Sequence, residues 1–401
     1  MKVDRRTVLK GTAAVAAASI MGMPAIVRAQ SKKWVFAGSS PLTGPFAQAG
    51  TTALKDLLDW VEMTNDMGGI AGRPVELIHE DSGYVPTNSL ANFKKAMSAD
   101  EKPIFYSGDS TGFMKLVAPE LTRTPVLCGG TSFASDLANP ATNPYQYIAG
   151  PTYQAMFDIL LKHVKDNGGS TVAFVYSDTE FGRDPIEHGR AAAAALGLKV
   201  VHEEITKAAG AEVQTHVAQL RRANPDFVIL HGYVTGVWPE IIGTARAFKM
   251  ETKFLGTFWG MEKVIADGVT AKAGPILDGY AGVLPYRYFY EAKDSASYSK
   301  FFAFKKQKYG DQFPGYVVTW SLQPMFSHEL AKNAIEATVK ADKEVNAANL
   351  IAALAAIKDW DSGGYMGQPV TVVNHSVPQG RVYSYNAENK LFLPVSDWIV
   401  T

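Results

Sequence analysis

The stretch from residue 34 to residue 81 constrains the fold most, because it predicts a strand, a helix and a second strand in close succession. Residues 34–38 form an apolar run typical of a buried strand, and residues 75–81 follow as a second strand that ends in an acid. The turn at residues 39–45 supplies three hydroxyls and free backbone N–H groups before the helix. In a parallel α/β sheet, small anions bind at such a junction.

Apolar strands alternate with helical segments along most of the chain, which predicts parallel sheets flanked by helices. Two such series follow one another and break near residues 149–152. We therefore expect an α/β fold with two doubly wound parallel-sheet lobes, one from each series. The length of the chain suits two domains.

Three motifs follow one another at the start of the first series: Pro-Leu-Thr-Gly-Pro at residues 41–45, Asn-x-x-Gly-Gly-Ile-x-Gly at residues 65–72, and Asp81 at the end of the second strand. Together they resemble the periplasmic solute-binding proteins of the leucine/isoleucine/valine-binding type. The resemblance implies the type I periplasmic binding protein fold, with two lobes joined by a hinge of three crossings. It also implies that a small solute is captured between the lobes and delivered to the membrane permease of an ABC importer.

The resemblance also places the limits of the lobes. The expected hinges lie near Gly150, near Gly282 and at residues 361–364. The N-terminal lobe then comprises residues 30–150 plus 282–361, and the C-terminal lobe comprises residues 151–281 plus 362–401.

The first 29 residues predict export to the periplasm. Arg5 and Arg6 resemble a twin-arginine signal, an apolar run covers residues 11–27, and cleavage is expected near Ala29. Removing this leader leaves 34 basic and 38 acidic residues, a formal net charge of −4. That balance gives no electrostatic basis for binding nucleic acid. Cys128, the single cysteine, stands in a buried-strand pattern and excludes an intramolecular disulfide.

Ser110 is the central candidate for ligand binding. It follows a predicted strand and opens a helix, and the resemblance places it where a serine holds the ligand carboxylate. The same position also suits a helix N-cap. Residues 108–112 fit a Gly-x-Ser-x-Gly nucleophile elbow as well, so an α/β-hydrolase is an alternative, with His328 or His375 as its base.

The loop after the next strand provides further polar candidates. By resemblance, Thr131 and Ser132 hold the amine and carboxylate of the ligand, whereas Phe133 replaces a hydroxyl. The amino-acid binders of the family also carry an acid where this chain has Thr-Phe-Trp at residues 257–259. A buried ammonium without an acid costs several kcal/mol. A free amino acid therefore requires Asp109 or Asp178 in that role.

Aromatic residues at strand ends predict an apolar, stacking pocket. By resemblance, Phe181 and Tyr233 cover the ligand and Tyr316 belongs to the first lobe, while Gln48 lies at the start of the first helix. Phe258 and Trp259 are either further pocket residues or part of the core.

These observations predict a non-enzymatic, monomeric solute-binding protein that takes up an aromatic or hydrophobic carboxylate. Branched-chain amino acids or short amides are the alternative ligands. The histidines are scattered and no metal or dinucleotide motif is present, so we expect no metal and no cofactor.

Overall fold

Two separate β-sheets organise the chain, the first from strands before residue 150 and the second from strands after residue 170. The structure, a computed structural model, describes residues 33–207 and 212–401. The predicted export signal, residues 1–29, lies outside the described residues. Within the described ranges, no helix combines the length and the apolar character that a membrane span requires.

The first sheet has five parallel strands, which are β1 (Trp34–Ser40), β2 (Val75–Asp81), β3 (Phe105–Gly108), β4 (Leu127–Gly130) and β5 (Gln146–Tyr147). Their order is β2-β1-β3-β4-β5. The central strand β1 is buried over most of its length and apolar in its first part, as expected where helices cover both faces of the sheet. The chain order reverses between β1 and β3, the kind of switch point at which α/β proteins bind ligands. Helices α1 (Ala47–Asp66), α2 (Pro86–Met97) and α3 (Thr111–Arg123) connect the strands.

The second sheet has its own set of strands and helices. Its strands are β6 (Thr171–Ser177), β7 (Lys199–Thr206), β8 (Phe227–His231), β9 (Lys253–Gly256), β10 (Ala281–Leu284), β11 (Gln379–Asn386), β12 (Leu391–Pro394) and β13 (Ile399–Val400). Strands β6 to β10 are parallel, and β11 and β12 add antiparallel strands at one edge. The helices of this region are α4 (Tyr153–Asp166), α5 (Glu180–Arg183), α6 (Ile186–Ala195), α7 (Val213–Ala223), α8 (Val237–Ala247) and α9 (Lys263–Ala273).

Three further helices return to the first sheet. They are α10 (Ala296–Tyr309), α11 (Thr319–Lys340) and α12 (Ala347–Ala355). Helices α10 and α11 pack on α1, and α11 and α12 pack on β4. The chain therefore crosses between the sheets after β5, after β10 and after α12. The predicted architecture of two doubly wound lobes with three crossings is confirmed.

A buried network of charges joins α1 to α10 and α11. The Lys305 ammonium contacts the carboxylates of Asp56 and Asp59, and the Ser321 hydroxyl donates to Asp56 at 2.6 Å. The three charged side chains are 2–7% exposed. Buried charges are tolerated only when they are paired and hydrogen-bonded. The network therefore fixes α1 against the two helices that return to this lobe.

Candidate functional site

A cleft between the two lobes collects side chains from the carboxyl ends of the parallel strands. In the first lobe they follow β1, β3 and β4, and in the second lobe they follow β6, β8 and β9. The carboxyl ends of parallel strands meet at one edge of a sheet, which makes this the expected place for a ligand. The cavity volume is about 60 Å³ when it is counted as the space that the centre of a water molecule can reach. A cavity of this size suits a small ligand.

The start of α3 forms the polar side of the cleft. Ser110 is the N-cap of α3, and its hydroxyl accepts a hydrogen bond from the Phe113 N–H at 3.2 Å. Thr111, the first residue of the helix, and Thr131, which follows β4, line the cleft. Ser132 lies behind them, with its hydroxyl 2.7 Å from that of Thr111. A helix N-terminus flanked by hydroxyl groups is a ready site for an anion.

Among the described residues, Asp109 is the one acidic residue that lines the cleft. Both of its carboxylate oxygens accept from the Ser89 hydroxyl, at 2.9 and 3.0 Å, and one accepts from the Ser110 hydroxyl at 3.2 Å. Burial raises the pKa of Asp109 above the usual range, although these hydrogen bonds oppose the shift. Asp178, the other candidate acid, is exposed and paired with Arg183 at 2.7 Å, away from the cleft.

Aromatic rings enclose most of the remaining space. The Phe46 and Tyr84 rings lie 4.5 Å apart, and the Tyr153 and Phe181 rings lie 5.0 Å apart. The Trp259 indole N–H donates to the Tyr153 hydroxyl at 2.9 Å, which fixes both rings. Such rings offer stacking surfaces to an apolar or aromatic ligand. The aromatic residues of the lining are Phe46, Tyr84, Tyr153, Phe181, Trp259 and Trp320.

A second layer of predicted residues lies behind this wall. Phe133 is fully buried and packs against Phe258 and Trp259, at ring distances of 5.3 and 5.9 Å. Tyr233 is also buried, and its hydroxyl is 2.7 Å from that of Thr206. Phe133, Phe258 and Tyr233 therefore support the wall of the cleft without lining it.

His79 lies at the inner end of the cleft. It is opposite Gly38 in the pairing of β1 with β2, and its ring covers the space that a side chain at residue 38 would need. Its Nε2 is 2.7 Å from the Ser40 hydroxyl. Burial lowers the pKa of His79 to about 4, so the imidazole is neutral at physiological pH.

Trp320 is brought to the same region by the start of α11. The Glu262 carboxylate, which is fully buried, accepts from the N–H groups of Val264 and Trp320 and so holds the starts of α9 and α11 together. Burial raises the pKa of Glu262 to about 7. The Thr319 hydroxyl donates to the Met261 carbonyl at 2.9 Å and adds a second tie.

The sequence and the structure of this chain match known proteins along most of its length. The sequence profile of the family described as "Periplasmic binding protein" matches residues 34–390. The chain belongs to the periplasmic binding protein family. It is 23% identical to the leucine-, isoleucine-, valine-, threonine- and alanine-binding protein of Pseudomonas aeruginosa over 278 residues, which cover 64% of this chain and 68% of the relative.

Solved structures share the fold of this periplasmic binding protein at low identity. A branched-chain amino acid ABC transporter protein from Thermus thermophilus with bound valine has a TM-score of 0.82 and 18% identity, over 92% of this chain and 97% of the other. A solute-binding protein from R. palustris in complex with benzoate has a TM-score of 0.74 and 16% identity, over 92% of this chain and 98% of the other. The type I fold predicted from the sequence is therefore confirmed.

Like Asp178, the predicted residues Tyr316 and Gln48 of this periplasmic binding protein lie outside the cleft. The Tyr316 ring packs on Phe289 at 5.1 Å and borders a separate surface groove. Gln48 is exposed on α1, and its neighbour Ala49 lines the cleft instead.

The hydrolase alternative finds no support in the contacts of Ser110. Its hydroxyl is engaged with Asp109 and with the Phe113 N–H. His328 is buried and its Nδ1 pairs with the Pro324 carbonyl, and His375 pairs with the Gln146 carbonyl. Across residues 33–207 and 212–401, no histidine hydrogen-bonds to Ser110, and no three metal-ligating side chains form a site.

Polar contacts join the two lobes beside the cleft. The Asp184 carboxylate of the second lobe accepts from the Ser135 N–H at 3.2 Å and from the Ser135 hydroxyl at 3.1 Å. Lys115 of the first lobe donates to Glu180 of the second at 3.1 Å. None of the four residues lines the cleft. We call this set of contacts the interlobe latch.

The sequence did not point to several residues of the lining. His79, Tyr84, Tyr153 and Trp320 all border the cleft. Tyr84 has a left-handed backbone with φ of 63°, which is strained for an aromatic residue and typical of functional loops. The Gly83 before it and the nearby Pro86 mark a turn, which is the one signal that could have drawn attention to it.

Proposed function

We propose that this protein is the solute-binding component of an ABC importer, that it works in the periplasm as a monomer, and that it binds its solute without turnover. In this proposal the solute is a small aromatic or hydrophobic carboxylate held between the lobes. The lobes would comprise residues 30–150 plus 282–361 and residues 151–281 plus 362–401. The R. palustris protein with benzoate shares the fold and offers a precedent for this ligand class.

The aromatic wall carries the proposal. Six aromatic side chains line a space of small volume, and a flat apolar ligand gains about 25 cal/mol for each Å² of apolar surface that it buries there. The residues that replace the family's ammonium-binding acid, at positions 257–259, contribute Trp259 to this wall.

The polar side of the cleft suits a carboxylate held by neutral donors. Among the described residues, no lysine or arginine lines the cleft. The N-terminus of α3 and the hydroxyls of Thr111 and Thr131 would therefore bind the anion. Hydrogen bonds to a charged group contribute about 1.5–3 kcal/mol each, so a few such donors are sufficient.

Asp109 supports a second candidate, an α-amino acid. An ionised Asp109 would pair with the ammonium group of such a ligand and replace the acid that is missing after β9. The Pseudomonas aeruginosa relative and the Thermus thermophilus protein with valine make this class a necessary comparison. The raised pKa of Asp109 counts against it, because the charged form of the carboxyl is disfavoured by burial.

A ligand screen by thermal unfolding distinguishes the two candidates. We expect benzoate to raise the melting temperature more than leucine or valine does. Ligand at 100 times its dissociation constant stabilises the folded state by about 2.7 kcal/mol, which is easily measured. Calorimetric titration then gives the affinity. Micromolar binding of leucine together with no binding of benzoate would overturn the proposal in favour of the amino-acid binder.

A further inference from the structure

The inner end of the cleft holds polar atoms that the site at α3 does not use. Trp320 is 2% exposed, and its indole N–H has no acceptor within the described residues. The Nδ1 atom of His79 is buried and also has no partner there. Buried polar groups in folded proteins are almost always hydrogen-bonded. Across residues 33–207 and 212–401, the Ser39 hydroxyl is a third unpaired group in the lining of this cavity, and the three together indicate a bound group that forms hydrogen bonds there.

Helix α11 adds an acceptor at the same place. Pro324 lies four residues after Trp320, and both residues line the cleft. Proline has no backbone N–H, so it cannot donate the helical hydrogen bond to the Trp320 carbonyl. That carbonyl therefore lacks its usual helical donor and keeps its capacity to accept a hydrogen bond from another group.

The chemistry of these atoms selects an uncharged partner. The imidazole of His79 is neutral and cannot balance a second carboxylate. The acid of the lining, Asp109, stands two residues beyond Ser107, which shares the strand register of Gly38 and His79. Asp109 therefore lies roughly 7 Å farther along the strand direction than His79, at the usual rise of a strand. A group that both donates and accepts, such as a hydroxyl, can pair with an indole N–H, a backbone carbonyl or an imidazole nitrogen.

We propose that His79 and Trp320 form an inner subsite that binds a hydroxyl group at the end of the solute remote from its carboxylate. The inference rests on the proposed function, since it presumes that the carboxylate lies at α3. Hydroxylated aromatic acids would then be preferred over acids of the same shape without the hydroxyl.

The test compares 4-hydroxybenzoate with 4-methylbenzoate, which has nearly the same shape and cannot form the hydrogen bonds. We expect the wild-type protein to bind 4-hydroxybenzoate at least about tenfold more tightly. Trp320→Phe removes the N–H and should lower this preference about three- to tenfold, the effect of one hydrogen bond. Pro324→Ala supplies the N–H that engages the Trp320 carbonyl, and it should lower the preference as well.

Trp238→Phe is the matched control. Trp238 is fully buried, its indole N–H also has no partner among the described residues, and it stacks on Tyr280 outside the cleft. Its replacement should leave the preference unchanged. If the acids bind with equal affinity, or if the Trp320 and Trp238 variants change the preference equally, the inner subsite is refuted while the proposed function stands. If neither acid binds, the proposed function fails and the subsite with it. Should Trp320→Phe not fold, the wild-type preference and Pro324→Ala decide the question.

Discussion

Protonation of Asp109 should make ligand binding in the cleft depend on pH. Its pKa is raised by burial, and it stands next to the proposed carboxylate site. A ligand carboxylate is repelled by the ionised form and accepts a hydrogen bond from the protonated form. An ammonium ligand has the opposite preference. The direction of the pH dependence therefore reports which ligand class the cleft takes.

We expect the affinity for benzoate to fall as the pH rises through the pKa of Asp109, which burial raises above the usual value of an aspartate. Asp109→Asn should flatten this profile, and Asp178→Asn, which changes an exposed acid outside the cleft, should preserve it. Titration calorimetry at several pH values provides the measurement. An affinity that instead rises with pH in the wild type, and not in Asp109→Asn, would indicate an ammonium-bearing ligand.

At the scale of elements, the charge network around Lys305 decides how α1 packs. Replacing Lys305 with methionine leaves the buried carboxylate of Asp56 without its ammonium partner, whereas Asp59 keeps Lys308. Loss of one partner of a buried pair costs about 3–5 kcal/mol. The free energy of unfolding from urea titration should fall by about that amount.

Lys306→Met is the matched control on the same helix. The Lys306 side chain is 60% exposed and pairs with a fully exposed Asp311, so its removal should leave the unfolding midpoint unchanged. Similar midpoints for the Lys305 and Lys306 variants would show that the buried network does not stabilise this lobe.

The elements were largely predictable from the sequence, whereas the inner end of the cleft was not. Alternation of apolar strands and helices gives the two lobes, because each lobe is built from local strand-helix units. Strand-end positions such as Asp109, Thr131 and Phe181 lie in the cleft because parallel strands end at one edge. Trp320 reaches the cleft through the packing of α11 on α1, a contact between residues more than 200 positions apart that no local pattern records.

At individual residues, the role implied by the family resemblance can differ from the position of the side chain in the structure. Tyr316 was placed by the resemblance, and it lies on a loop that borders a different groove. Ser110 was predicted as a ligand contact or as an N-cap, and its hydroxyl caps α3, while contact with a ligand stays a prediction. In both places the fold preserves the path of the backbone, while the side chain is directed by its local hydrogen bonds and packing.

At the scale of the whole molecule, the interlobe latch stabilises the state in which the lobes touch. Asp184 and Lys115 make its contacts without lining the cleft. We expect Asp184→Ala to favour separated lobes and to weaken benzoate binding about tenfold or more, because only the fraction of molecules that can close binds fully. X-ray scattering should show a larger radius of gyration without ligand.

Asp178→Ala is the matched control, because it removes an exposed acid of the same lobe. Among the described residues, Asp178 forms a salt bridge with Arg183 alone. Its replacement should change neither the affinity for benzoate nor the radius of gyration. If Asp184→Ala binds benzoate as tightly as the wild type, the latch contributes nothing to closure. If the two variants weaken binding equally, the effect comes from lost negative charge and not from the contact with Ser135.

Cys128 gives this protein a practical property. It is the one cysteine of the chain, and it lies fully buried in the first sheet with its S–H directed at the Met114 sulfur, 3.9 Å away. Burial raises the pKa of the thiol, which suppresses the reactive thiolate. Cysteines introduced on the surface of the two lobes would therefore accept fluorescent dyes without background from the native residue. If ligand binding changes the distance between the lobes, energy transfer between two such dyes would change with it. The chain is therefore a scaffold for a fluorescent sensor of small organic acids.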